Sequence, residues 1–222
     1  MRVAGEAGQP TKVVIIGAGG FGREVLWLLR CLGPDVAPIG FLDDDPPGET
    51  VCDLPVFGPI EPSIMEDRDV HYVWGIGIPR LRHSVAQRLG PVPYVTLRHP
   101  QTQQSEYVEV GDGTIICAGT VVTTQITIGR HALLNLNVTV GHDAVISDYC
   151  TLSPGVHLSG FAKLEEGVDV GTGAVLIPGV RVGAWSVIGA GAVVTQDIPD
   201  HVVAVGVPAR VTRSLHEEEL AE

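Results

Sequence analysis

From Val110 to Val194 every sixth residue is aliphatic: Val110, Ile116, Val122, Ile128, Leu134, Val140, Ile146, Leu152, Leu158, Leu164, Val170, Leu176, Val182, Ile188 and Val194. A period of six fits neither a helix nor a single long strand, but it suits short strands separated by turns. Three such strands close one triangular coil, and equivalent residues of successive coils then stack at the inter-strand spacing of about 4.8 Å. Two places before the aliphatic residue the side chains are small or β-branched, as at Thr114, Thr120, Ala132, Ala144, Cys150, Ala162 and Ala174, and Gly, Asn or Ser commonly follows it. Each coil can bury its ladder only against its neighbours, so the array is quasi-one-dimensional and its ends need caps. The period itself leaves the handedness open; general crossover sterics favour right-handed connections.

Residues 11–97 read as a separate α/β unit. The apolar run Val13–Ile16 ends in glycines, and Phe21, Val25, Leu28, Leu29 and Leu32 follow at helical spacing, the pattern of a βα unit. Further strands are expected at Ile39–Leu42, Val70–Gly75 and Val92–Leu97, with a helix over Arg80–Leu89. Residues 98–107 are expected to connect this unit to the prism over 108–200, and 201–222 to cap its far end with a short acidic helix around Glu217-Glu218-Glu219. Aromatic residues make up only 5% of the chain, so the core must be built from small aliphatics.

The formal net charge of −12 excludes a basic nucleic-acid footprint. No apolar stretch reaches the roughly 18–20 residues of a membrane span, and the opening MRVAGEAGQP lacks a signal-peptide core. Cys31, Cys52, Cys117 and Cys150 form no C-x-x-C pair, the usage of a reduced, cytoplasmic protein.

Three constellations carry chemistry. Gly17-Ala18-Gly19-Gly20-Phe21-Gly22 matches G-x-G-x-x-G between a strand and a helix, where backbone N–H groups can receive a phosphate. Asp43 and Asp44 end the next strand, where carboxylates can accept from a ribose or base. A tight βα turn that needs glycine only for packing is the alternative. His142 falls at a prism corner, and one coil further on stands Gly160. This places an imidazole beside a gap of about 5 Å with an accessible backbone N–H, a geometry for acyl transfer; a solvated turn histidine is the alternative. Pro154, Thr172, Ala190 and Pro208 form a column of thin residues on another corner. A long ligand reaching both columns must wrap around one chain or lie between two, which favours a symmetric oligomer. His131, His142 and His157 occupy different hexad positions, so no metal site is expected. His99 and His201 sit at the prism junctions, where packing is the simpler role.

The hexad ladder, Gly141-His142-Asp143, Leu152-Ser153-Pro154-Gly155 and Val205-Gly206-Val207-Pro208-Ala209-Arg210 together resemble bacterial hexapeptide-repeat acyltransferases. Gly17-Ala18-Gly19-Gly20 and Phe41-Leu42-Asp43-Asp44 narrow the resemblance to the sialic acid O-acetyltransferase-like group, which includes nucleotide-sugar 4-amino N-acetyltransferases. The resemblance implies a Rossmann-like α/β domain followed by an all-β left-handed parallel β-helix, a homotrimer, acetyl-CoA as donor and an active site between subunits. It implies His142 as general base, oriented by Asp143, with Gly160 offering its N–H to the thioester carbonyl. Thr172, Ala190, Pro208 and Arg210 would line the coenzyme A path, and Gly19, Gly20, Phe21, Asp43, Asp44 and Gly77 would hold a nucleotide-linked amino sugar. Arg80, Arg82, Arg181 and Arg210 are candidates to balance the anionic ligands. Many members have His where Phe21 and Thr151 stand, departures that bear on contacts to the sugar phosphate and to the acetyl donor respectively. An acceptor hydroxyl on a sialic acid or free sugar, a carbonic-anhydrase-like metalloenzyme and a non-catalytic scaffold are the competing readings.

Overall fold

The computed structural model describes residues 10–61 and 70–215. The N-terminal unit runs β1 (Thr11–Ile16), α1 (Gly20–Cys31), β2 (Val36–Leu42), the short hairpin β3 (Thr50–Val51) and β4 (Leu54–Pro55), β5 (Val70–Trp74) and α2 (Pro79–Leu89). Its parallel sheet has the order β2-β1-β5. β1 is therefore central, and Val13, Ile15 and Ile16 are completely buried; a strand covered on both faces reads as a continuous apolar run. Pro79 opens α2 and Gly90, at φ 67°, closes it, the usual division of labour between these residues at helix ends.

The strand expected at Val92–Leu97 does not form. Tyr94 makes a single bridge to Tyr72, because Pro91 and Pro93 lack the N–H groups a ladder needs. Leu97–Arg98 instead pairs with Ile115–Ile116 of the prism, and Gln103–Gln104 pairs with Val121–Val122. The stretch 98–107, expected as a connector, is thus part of the first coil. Its hexad signal is lost because Arg98 and Gln104 stand at the ladder positions, aligned with Ile116 and Val122.

The prism is a left-handed β-solenoid of about six turns. Three parallel sheets form its faces, and the register steps by one coil throughout, as in Leu133↔Thr151↔Asp169↔Val187. The right-handed preference governs crossovers long enough to pack back on a sheet, whereas these corners span only a few residues. Every sixth residue from Gly113 to Gly191 has positive φ, including His131, Asn137, Asp143, Tyr149, Phe161 and Trp185. Each corner thus turns through one left-handed residue, a conformation that Gly, Asn and Asp adopt most readily.

Inside, the aliphatic ladder forms one continuous core. The interior hydroxyls are accommodated by backbone: Thr114 Oγ1 donates to Gly129 C=O and Thr120 Oγ1 to Asn135 C=O, both at 2.8 Å, so these two hydroxyls are satisfied. At the far end Val202–Val205 pairs in parallel with the solenoid and Arg210–Ser214 folds back antiparallel onto it. Glu217-Glu218-Glu219 lie outside the described residues.

The N-terminal unit docks on one corner column of the solenoid. Trp74 stacks on Tyr94, and both contact His131, which lies against Tyr149. Arg82 of α2 is 1% exposed and reaches into the same seam. α1 extends the contact to Cys117 and Leu136, the latter one coil before Pro154 at the start of the thin-residue column, while Thr172, Ala190 and Pro208 further along that corner, like His142 on its own, are exposed.

Candidate active site

His142 stands on a corner because Val140 turns inward and Gly141 packs beneath the next coil: a Cβ on Gly141 would come within 2.6 Å of Gly160 N. Asp143 follows at φ 59°, and its Oδ2 lies 2.8 Å from His142 Nδ1. Both side chains are accessible, at 56% and 43% exposure. The pairing places the ring proton on Nδ1 and leaves Nε2 with a free lone pair, the arrangement a general base requires.

Nε2 is turned toward Gly160, where a Cβ would approach it to 2.8 Å. The expected open gap beside the ring is therefore replaced by the imidazole leaning over the glycine, and any larger residue at 160 would displace it. Gly160 is buried, and its N–H finds no acceptor among the described residues. At the equivalent place on the docked corner, Arg130 N–H is met by Asp148 Oδ1 of the next coil at 2.7 Å, whereas the residue one coil beyond Gly160 is Pro178. A buried donor left unpaired costs about 1–3 kcal/mol, so a bound oxygen has a ready partner here. Phe161, 55% exposed, presents its ring edge-on to His142 with centroids 5.0 Å apart. Sequence reasoning missed Phe161; the available signal was its place one coil beyond Asp143.

Thr172, Ala190 and Pro208 are exposed along another corner, with Pro154 half-buried at its start. Their alignment is held by Gly173 N–H to Pro154 C=O and Gly191 N–H to Thr172 C=O, at 2.9 and 2.8 Å. Arg210 is exposed nearby and donates to its neighbour's carbonyl, Ala209 C=O. One face of the prism separates this column from His142 in the same chain.

In the N-terminal unit the glycine turn divides into two parts. Gly22 is required for packing, since a Cβ would collide with Gly17 O. Gly19 is open, and only the tip of the Arg23 side chain comes within 4.0 Å of a Cβ on Gly20. Both are exposed at the start of α1, next to half-buried Phe21. Asp43 Oδ2 accepts from Ala18 N–H at 2.6 Å and Oδ1 from Asp45 N–H at 2.9 Å, so it ties the turn to β2. Asp44 accepts from Ile60 N–H and Arg88 Nη2 at 2.9 and 2.6 Å. Burial pushes its carboxyl upward, but the Arg88 and Ile60 hydrogen bonds outweigh this and hold it below its ordinary value. Asp43 thus holds the glycine turn to the end of β2, and Asp44 ties the same strand end to Ile60 and α2. Gly77, between β5 and α2, has nothing within 4 Å of where a Cβ would stand.

The arginine candidates separate clearly. Arg82 is consumed by protein acceptors, as described below, and burial pulls its guanidinium down to about 10. Arg181 is engaged by Glu165 at 2.8 Å and Asp200 at 3.3 Å. Arg80 donates to Trp185 C=O at 2.7 Å. Of the four, Arg210 alone lies beside a predicted ligand column.

The histidines do not converge. His131 Nδ1 accepts from Trp74 Nε1–H at 3.0 Å, His157 pairs with Thr139 at 2.8 Å, and His99 stacks on Trp27. Among the described residues no group of three or more His, Cys, Asp or Glu side chains could hold a metal ion.

Residues 12–89 match the PglD N-terminal domain. Over nearly the whole chain the structure resembles a mutant perosamine N-acetyltransferase from Caulobacter crescentus, solved with CoA and GDP-perosamine: 33% identity, 91% of this chain and 97% of that one, TM-score 0.84. The chain belongs to the hexapeptide-repeat acyltransferases. A second member of this family, the acetyltransferase domain of PglB from Neisseria gonorrhoeae FA1090 in complex with acetyl coenzyme A, is 31% identical over 91% of this chain and 99% of that one, with TM-score 0.85. A shorter stretch of 33 residues, 15% of this chain and 16% of the other, is 58% identical to the galactoside O-acetyltransferase of Escherichia coli (strain K12).

Proposed function

We propose that this acyltransferase transfers acetyl from acetyl-CoA to the amino group of a nucleotide-linked amino sugar, with His142 as general base. The observation that carries the reading is the His142–Asp143 pair poised over Gly160, whose N–H has no acceptor among the described residues. The full-length likeness to a perosamine N-acetyltransferase crystallised with CoA and GDP-perosamine supports the substrate classes.

Attack of the neutral amine on the thioester carbon forms the C–N bond and places negative charge on the carbonyl oxygen. His142 Nε2 takes the proton the nitrogen must lose, and Asp143 stabilises the imidazolium that results. The Gly160 N–H faces the oxyanion at the moment its charge develops. Collapse breaks the C–S bond and releases coenzyme A as thiolate, which recovers a proton from His142. No covalent enzyme intermediate is needed.

Thr172, Ala190 and Pro208, whose small side chains leave the corner accessible, accept the extended coenzyme, with Arg210 beside them. Because this column and His142 occupy different corners, the donor along one chain meets the base of another, and a homotrimer completes the site. Gly19, Gly20 and Phe21 at the start of α1, with Gly77, receive the nucleotide-linked sugar, the helix N-terminus facing its diphosphate; Asp43 and Asp44 frame that site. In this reading the enzyme works in the cytoplasm, where acetyl-CoA is made and where the cysteines, unbridged in the structure, stay reduced.

The galactoside O-acetyltransferase match supports a second reading, with a sugar hydroxyl as acceptor. An acetylation screen separates the two. Turnover of nucleotide-linked amino sugars well above that of free galactosides and sialic acids supports the amine reading, and the reverse order replaces it.

A further inference from the structure

We propose that Thr151 is a positioning residue for the acceptor: its hydroxyl fastens the loop between β5 and α2 to the solenoid, holding the Gly77 face open toward the nucleotide-linked sugar. This rests on the acceptor reading above and adds a residue to it. The resemblance associates this position with the acetyl donor, and the structure moves it to the other substrate.

Thr151 is 4% exposed, in the strand Thr151–Leu152. Its Oγ1 donates to Gly77 C=O at 2.8 Å and accepts from Arg82 Nη2 at 3.0 Å. A hydroxyl has one proton to give, and this one is committed to the N-terminal unit, so Thr151 has no donor left for a thioester.

The Gly77 carbonyl receives a second bond, from Arg82 Nη1 at 2.8 Å. Both lone pairs of that oxygen are then used, which fixes the peptide plane. Arg82 anchors the arrangement, donating also to Ile76 C=O at 3.0 Å, His131 C=O at 3.1 Å and Tyr149 C=O at 2.9 Å. The loop is thereby bound to two successive coils.

Residues 75–78 have no regular secondary structure of their own. Gly75 N–H is held by Ile16 C=O at 2.7 Å, and a Cβ on Gly17 would stand 3.0 Å from both Gly75 O and Ile76 Cγ1. The loop therefore packs on the glycine turn that precedes α1, and its position sets the shape of the acceptor cleft. On the far side of Gly77 nothing lies within 4 Å of a Cβ, so the clamped carbonyl faces the protein while the α-carbon faces open space.

The test uses the full chain with Thr151→Val, which keeps the shape and removes the hydroxyl, Thr151→Ala, which removes it without added bulk, and Thr151→Ser, which restores it. Val and Ala should raise the KM for the nucleotide-linked sugar about three- to tenfold, the range for one lost buried hydrogen bond. The KM for acetyl-CoA should stay within about twofold, and Ser should recover the wild-type acceptor KM. Amide hydrogen exchange of the unliganded protein over residues 75–78 should quicken in Val and Ala and not in Ser. A rise confined to the acetyl-CoA KM overturns the proposal, as does unchanged loop exchange in both hydroxyl-free variants. If the wild-type protein acetylates no nucleotide-linked sugar, the functional reading fails, and unaltered exchange or its acceleration still decides whether Thr151 holds the loop.

Discussion

His131 and His142 lie on different corners of the same repeat, yet their surroundings are opposite. His131 is 7% exposed and takes a hydrogen bond from Trp74, with Tyr94 and Tyr149 against its ring. Burial, reinforced by Arg130, pulls its pKa down to about 4, so it is neutral at physiological pH. His142 is accessible, paired with Asp143, and leans over Gly160, whose N–H has no acceptor among the described residues. The hexad does not make this difference; the N-terminal unit does, by covering His131 and leaving His142 exposed. A repeat offers equivalent corners, and what docks on them decides which becomes core and which is left for ligands.

The comparison can be broken most severely at His142. His142→Ala should lower kcat by two orders of magnitude or more, the range for a lost general base, while the thermal midpoint stays near wild type because the side chain is exposed. Near-normal turnover would remove it from the role. On the docked corner the large effect should be on stability. Arg82→Met strands several buried carbonyls and should cost about 3–5 kcal/mol in chemical denaturation, since each loses a charge-assisted donor with no solvent to replace it; a loss below about 1 kcal/mol would mean that water replaces the guanidinium. Asp143→Asn should reduce kcat about tenfold and shift the pH–rate profile, since orienting a base is a smaller contribution than being one. An unchanged profile would reduce Asp143 to a turn residue.

The smallest effect concerns pH. His131 binds its proton less readily when folded than its ordinary 6.5, so stability should rise with pH between about 4 and 6.5. Asp169 is shifted the other way, from 3.8 to about 6, by burial against the opposing pull of Arg82 and Arg80. The folded chain then holds the extra proton, and its contribution falls as pH rises through that window. Over the shared range the two oppose each other. Asp169→Asn should therefore give a steeper rise of denaturation free energy with pH than the wild type; equal slopes would show that Asp169 titrates normally.

Much of this was legible beforehand because a six-residue period admits so few packings. The aliphatic ladder, the stacking of His142 on Gly160 and the separate thin-residue column all follow from counting along Val110–Val194. What escaped was decided by contacts between units. Nothing in the local sequence distinguishes Arg82, which is internal, from Arg210, which is exposed, and spacing alone could not place Thr151 against Gly77 in the other unit. The first coil was hidden because Arg98 and Gln104 occupy its ladder positions, while Leu97 and His99, flanking Arg98, turn toward the N-terminal unit, Leu97 in its core and His99 against Trp27.

The sequence by itself determined the solenoid, its step and the corner on which the base stands, since a short period specifies nearest-neighbour packing and nothing more distant is needed. Only the tertiary structure decided which corner is buried, which arginine is a clamp and which residue holds the acceptor loop. Those outcomes depend on two independently patterned units meeting in one orientation, and pairings across such a seam leave no periodic trace in either of them.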